Sequence, residues 1–261
     1  MFVDSHCHIN FEGLADRLPQ VLENMREQSV THALCVSVDL ETLPSVLDIA
    51  SRYENVYASV GVHPDHEDVQ EPSVADLVEL AKHPKVVAIG ETGLDYFRLG
   101  ERTIDDMEWQ RERFRVHIRA AHATGKPLIV HTRAASEDTL RIMEEERAGE
   151  PGGVMHCFTE PWAIAERAIA QNFFISLSGI VTFKSATDVQ EVARRVPIER
   201  LLIETDSPYL APVPFRGKPN EPAYVSHVGR FIAQQRGLPD AELGAATTQN
   251  FFRLFKIPAS A

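Results

Sequence analysis

The feature that most constrains this chain is a regular alternation: short apolar, β-rich runs recur along it, each separated from the next by a longer segment. The runs are "MFVDSH" (1–6), "THALCVSV" (31–38), "VYASVGVHP" (56–64), "KVVAIGETGLD" (85–95), "KPLIVHT" (126–132), "GGVMHCF" (152–158), "NFFISLSG" (172–179) and "RLLIETDSP" (200–208). Between them, "LPQVLENMREQ", "TLPSVLDIASRYE", "SVADLVELAKHP", "MEWQRERFRVHIRAAHATG" and "PWAIAERAIAQN" carry helical spacing, several bounded by Pro or Gly. Strands alternating with helices of this length read as a parallel sheet with covering helices. Eight such units are the count of a closed (β/α)8 TIM barrel, an α/β fold; an open doubly wound sheet is the alternative, because periodicity does not show closure. No linker or low-complexity tract interrupts the pattern, so residues 1–261 read as a single domain. After Pro208 the Pro- and Gly-rich loop "APVPFRGKPNEP" leads to two further helical segments, expected to pack on the outside and close the last unit.

Composition narrows the class. Hydrophobic residues make up 44% and charged residues 25%, as in a water-soluble globular chain, and no stretch approaches the roughly 18 consecutive apolar residues of a membrane span. The start has no basic region followed by an apolar core and a cleavage site, so a cytoplasmic location is expected, with no membrane association. Cys7, Cys35 and Cys157 cannot all pair and each sits in a strand-like run, which suits small buried thiols in a reducing compartment. A net charge of −12 argues against an extended basic surface, while leaving room for a local basic pocket around bound metal.

In parallel barrels the reacting groups come from the C-terminal ends of the strands and the loops that follow. By that rule His6 and His8, His63, Glu91, His131, His156 and Asp206 ring one mouth. A lone histidine in an apolar run is ordinarily a satisfied core residue. Five at strand ends, beside two carboxylates, form instead a first shell for Zn, Mn or a similar divalent ion, since clustered imidazoles cannot satisfy one another. Two residues apart on a strand, His6 and His8 share a face, with Cys7 between them turned to the helices. Six ligands, His6, His8, Glu91, His131, His156 and Asp206, exceed one tetrahedral site, and a carboxylate such as Glu91 can bridge two ions about 3.5 to 4 Å apart. Such a pair suits hydrolysis: the ions together deprotonate a bridging water to a metal-bound hydroxide, and one polarises the bond attacked. Asp206 is placed to ligate one ion and take the proton. Glu204 points the same way one layer deeper, either supporting the ligands or filling the barrel.

These motifs together resemble the TatD family of metal-dependent deoxyribonucleases and phosphoesterases, within the wider amidohydrolase-like barrels, from "DSHCH" to "NFFRLF". "DSHCHIN", "GVHPD", "IGETGLDY", "PLIVHTR", "MHCFT", "ISLSGIVTFKSA" and "ETDSPYLAPVPFRGKPNEP" carry the likeness. The resemblance implies two divalent ions (Zn, Mn, Mg or similar), one held by His6, His8, Glu91 and Asp206, the other by Glu91, His131 and His156. It also implies an exonuclease-like deoxyribonuclease. The chain departs from the family pattern at "HTRAA" and "TEPW", beside the substrate. Glutamate at the fourth strand speaks against barrels that bridge their metals with a modified lysine.

A phosphodiester needs counter-charge beyond the metals, for which Arg133, Arg216, Lys218 and His63 are the candidates. Tyr209, Phe215 and Trp162 could stack on a base of single-stranded nucleic acid. The remaining histidines, His32, His66, His83, His117, His122 and His227, are assigned no catalytic role. The expected substrate is DNA, as ends or single strands, and no obligate protein partner is inferred. An amide, lactone or small-ester hydrolase on the same barrel is the alternative enzyme, and a metal-holding protein without turnover the alternative of another class; the basic candidates favour phosphate.

Overall fold

The computed structural model describes residues 1–258. Eight strands, β1 (Phe2–Cys7), β2 (Val30–Cys35), β3 (Val56–Val60), β4 (Val86–Asp95), β5 (Leu128–Arg133), β6 (Gly153–Met155), β7 (Phe173–Leu177) and β8 (Leu201–Ile203), lie parallel in chain order in one sheet. Helices α1 (Leu18–Glu27), α2 (Leu43–Arg52), α3 (Val74–Leu80), α4 (Glu108–Thr124), α5 (Ser136–Glu145), α6 (Trp162–Ala170) and α7 (Thr187–Arg195) connect successive strands, and α8 (Val225–Arg236) and α9 (Asp240–Leu254) follow β8. The sheet closes where the chain beyond β8 meets β1: Asp206 N–H donates to the His6 carbonyl at 2.9 Å and His8 N–H to the Ser207 carbonyl at 2.8 Å. A (β/α)8 barrel, and not the open alternative, is therefore the fold.

Local chemistry explains the elements. Helix α2 buries Leu43, Val46, Ile49 and Ala50 along one face and begins with a proline in its first turn. A reciprocal Ser73–Asp76 capping box starts α3. Each Val, Leu or Ile so buried contributes roughly 1.5–3 kcal/mol, and one continuous core of such residues joins the outer faces of the strands to the helices. A second core fills the barrel near the strand starts: Val3, Leu34, Val87, Ile129, Val154, Phe174 and Leu202 pack with Phe251, Leu254, Phe255 and Ile257. The end of α9 thus plugs one end of the barrel as well as lining its outside, which the periodicity of the tail did not reveal. With that end apolar, the polar side chains collect at the other.

Two glycines let the backbones meet there. A Cβ on Gly61 would stand 2.5 Å from the Gly90 carbonyl carbon, and one on Gly93, at φ +133, would stand 2.0 Å from the His131 carbonyl oxygen. Among the described residues, no helix is long and apolar enough to cross a membrane.

Candidate active site

The site starts at the end of β1, where the pairing with β2 is irregular between Asp4 and Cys7: His6 and His8 turn to Glu91, while Cys7 joins the helix-packed core and donates its thiol proton to the Leu34 carbonyl at 3.3 Å. Asp4 is buried and accepts from the Thr205 N–H at 2.8 Å, the Thr205 hydroxyl, and the His6 N–H at 3.3 Å. Burial pushes its pKa well above the ordinary carboxylate range, against those bonds. This tie holds the segment after β8, where Asp206 takes the left-handed conformation at φ +55, against the first strand.

Glu91 is the centre. It is buried on β4, and its N–H donates to the Ser37 carbonyl at 3.0 Å. Its oxygens divide the histidines into two sets. Oε2 lies 3.2 Å from His6 Nε2 and 3.9 Å from His8 Nε2, whereas Oε1 lies 2.7 Å from His156 Nε2, 3.1 Å from His131 Nδ1 and 3.3 Å from His63 Nε2. Asp206 Oδ1 stands 3.5 Å from His8 Nε2 and 3.7 Å from His6 Nε2. Burial alone would raise the pKa of Glu91, but His156, His63 and His6 outweigh it and hold the carboxyl well below its ordinary range. The same contest, won by contacts with His8 and His6, lowers Asp206.

Outer partners aim the rings. His8 Nδ1 donates to the Val36 carbonyl at 3.0 Å, leaving Nε2 for the cavity. Glu204 Oε1 accepts from His156 Nδ1 at 3.2 Å and from the Cys157 N–H at 2.8 Å. His131 is turned the other way, with Nε2 on Asp95 Oδ2 at 3.1 Å and Nδ1 toward Glu91. Of the two readings open for Glu204, support of a ring is the one its contacts match.

The donors fit divalent ions. Nε2 of His6 and Nε2 of His8 face each other at 3.2 Å, and Nδ1 of His131 and Nε2 of His156 at 3.4 Å, all directed at one carboxylate. Among the described residues, two buried atoms nearby, His6 Nδ1 and Glu204 Oε2, have no hydrogen-bond partner. Crowded nitrogens and carboxylate oxygens of this kind are a natural environment for Zn or Mn. The sets His6–His8–Glu91, His6–His156–Asp206 and His63–Glu91–His131 each offer ligand atoms within 4.8 Å of one another. The division differs from the one the resemblance implies: His156 also groups with His6 and Asp206, and His63 sits inside the cluster. Imidazole and carboxylate groups gathered in this way can hold metal that polarises an ester and acidifies water.

The cluster opens into a cavity of about 570 Å³, whose wall includes His63, Arg133 and, unforeseen, Arg98. Among the described residues the side chains of Arg98 and Arg133 form no ion pair; Arg133 lies 3.6 Å from the Phe97 ring centroid. Arg216 and Lys218 are exposed and do not line the cavity, the Arg216 guanidinium lying 4.3 Å from the Phe183 ring centroid. Of the aromatic candidates only Tyr209 reaches the wall: Phe215 stacks on Tyr224 at 4.2 Å and Trp162 carries Arg195 at 4.4 Å. Phe11, Asp65, His66 and Asp95 also line it. The strand-end rule could have singled out Asp95, the last residue of β4, whereas Phe11 and His66 gave no such signal. Cys157, expected as a buried thiol, is partly exposed on the cavity wall at φ +42, and burial still raises its pKa.

Comparison with known proteins gives consistent matches. The family model described as TatD related DNase matches residues 3–256. A metal-dependent hydrolase of Escherichia coli K12 named YcfH, described as uncharacterized, is 45% identical over 99% of this chain and 97% of its own length. A 3'-5' ssDNA/RNA exonuclease TatD of Escherichia fergusonii is 34% identical over 87% of this chain and 88% of its own. Among solved structures, the TatD homologue YJJV of Escherichia coli superposes with a TM-score of 0.89 at 28% identity, covering 98% of each chain.

Proposed function

The chain belongs to the TatD family and is a metal-dependent hydrolase, and from that premise we propose that it hydrolyses phosphodiester bonds of nucleic-acid strands at a binuclear metal centre. The observation that carries the reading is the division of Glu91: one carboxylate oxygen serves His6 and His8, the other His156 and His131. A carboxylate so shared is suited to bridge two ions. Divalent ions held by His6, His8, Glu91, His131, His156 and Asp206 supply Lewis-acid polarisation of a phosphoryl oxygen and acidify water.

The chain's own groups do the rest. Asp206, kept ionised by its histidine neighbours despite burial, takes the proton of the attacking water. Glu204 and Asp95 keep His156 and His131 aimed at Glu91. Arg133 and Arg98 meet the phosphate oxygens from the cavity wall, with His63 beside Glu91. Arg216 and Lys218, outside that wall, are left for phosphates farther along a strand. The name of the Escherichia fergusonii relative supports a single-stranded substrate cut from an end.

The test is a screen of the purified, metal-loaded protein on end-labelled single-stranded DNA, RNA, a small chromogenic phosphodiester and a lactone. Stepwise, chelator-sensitive shortening of a strand is expected. Lactone turnover without strand cleavage would put the amide- and lactone-hydrolase reading ahead.

A further inference from the structure

We infer that the cavity holds a base subsite: Phe11 and Tyr209 receive one unpaired nucleobase of the bound strand, while Arg98 and Arg133 hold its backbone across the mouth. The inference rests on the phosphodiester reading and adds to it how the strand lies. The topology separates the two walls. Phe11 follows β1 and Tyr209 follows β8, neighbours at the closure of the barrel; Arg98 follows β4 and Arg133 ends β5, half-way round the ring of eight strands. All four residues line the same cavity as Glu91 and Asp206.

The apolar wall has the shape of a corner. The Phe11 ring lies parallel to the His8 ring, with centroids 4.8 Å apart and 13° between planes, and meets Tyr209 edge-on at 6.5 Å and 75°. Leu210 and Ile180 continue it. Tyr209 is 57% exposed, an unusual place for a large aromatic ring, yet its backbone is held: its N–H donates to the Asp206 carbonyl at 3.0 Å, and its carbonyl accepts from Asn220 Nδ2 at 2.6 Å. An uncovered ring on an anchored backbone, three residues from Asp206, offers a stacking face beside the reacting groups. Two single rings at an angle take one flat heterocycle, stacked on one and edge-on to the other, which a base offers once it has left a duplex. The opposite wall presents two guanidinium groups without a carboxylate partner among the described residues, suited to phosphate oxygens.

The test uses the metal-loaded protein and hydrolysis-resistant phosphorothioate single strands carrying 2-aminopurine at one or the other terminal nucleotide. Wild type should quench one of these probes on binding. Tyr209→Ala should lose the quench and bind about tenfold more weakly, and Tyr209→Phe should retain both. On a strand whose terminal nucleotide lacks its base, the Tyr209→Ala penalty should shrink to less than twofold. An equal penalty on base-bearing and abasic strands, or quenching unaltered in Tyr209→Ala, overturns the subsite. Should wild type cleave ordinary strands without quenching either probe, the subsite falls and the phosphodiesterase stands; should it bind no strand at all, the phosphodiesterase reading itself falls.

Discussion

Glu204 Oε1 accepts the Nδ1 proton of His156 at 3.2 Å, and the carboxylate is wholly buried. That bond fixes a ring proton on Nδ1 and turns Nε2 toward Glu91 Oε1, 2.7 Å away. Two opposed carboxylates, one on each nitrogen, outweigh burial and raise the pKa of His156 well above its usual value. Asp95 repeats the device on His131, and the Val36 carbonyl on His8.

Removing such a support should loosen metal without removing a ligand. Glu204→Ala is expected to weaken metal binding by roughly 10- to 100-fold, measured by competition with a chromogenic chelator. Glu204→Gln, whose amide oxygen can still accept from His156 Nδ1 and Cys157 N–H, should retain most of the affinity. Equal losses in the two variants would show that orientation is not what Glu204 provides.

A bridge and a terminal ligand should differ in stoichiometry. Glu91→Ala should lose more metal than His156→Ala, because its two oxygens face both histidine sets. Elemental analysis of the purified variants settles the point, and full occupancy in Glu91→Ala would contradict the bridge.

Asp206→Asn nearly preserves size and still offers an oxygen, but it cannot take a proton. Turnover of a strand should fall by about 10² to 10⁴, while metal content and strand affinity stay within a few-fold of wild type. A large loss of affinity with kcat intact would assign Asp206 to binding.

The cavity wall predicts which cations matter. Arg133→Ala should raise KM for a strand more than Arg216→Ala does, since Arg133 lines the cavity and Arg216 packs on Phe183 outside it. Steady-state kinetics with both variants on the same oligonucleotide tests this, and the reverse order would place the scissile phosphate nearer the loop after β8.

His117 supplies a pH prediction away from the metal ligands. It is fully buried, its Nε2 accepting the Val62 N–H at 3.0 Å and its Nδ1 donating to the Arg113 carbonyl at 2.8 Å. Burial lowers its pKa from 6.5 to about 4. Above pH 6.5 both folded and unfolded states leave it neutral and its contribution is intact. Between 6.5 and 4 the unfolded chain binds a proton that the folded one refuses, so stability falls as the pH drops, by roughly 2 to 3 kcal/mol at pH 4.5. His117→Gln, able to accept and donate in the same places, should lose that much less between pH 7.5 and 4.5 in urea denaturation. Parallel losses in the two proteins would show that the ring is not the source.

The sequence by itself determined the strand–helix alternation and the ring of metal-ligand candidates, because both follow from local order, while closure of the barrel was decided by the contacts of Asp206 and Ser207 with the first strand. Side-chain alternation along a strand makes His6 and His8 neighbours, and a parallel barrel brings every strand's C-terminal end to one mouth, so Glu91, His131, His156 and Asp206 could be placed without a single contact being known. What lies in the loops was decided only by tertiary structure. Arg216, Lys218, Phe215 and Tyr209 share one segment and looked equivalent, yet Tyr209 alone reaches the cavity, because Asn220 Nδ2 donates to the Thr205 and Tyr209 carbonyls and folds the segment back on itself. Arg98 and Phe11 enter the wall from loops that carry no period, and the end of α9 with Phe255 and Ile257 plugs the far end of the barrel as part of one cluster that includes residues of seven strands. Such placements depend on hydrogen bonds and packing between residues distant in sequence, whereas a strand's inward face is set by its immediate neighbours.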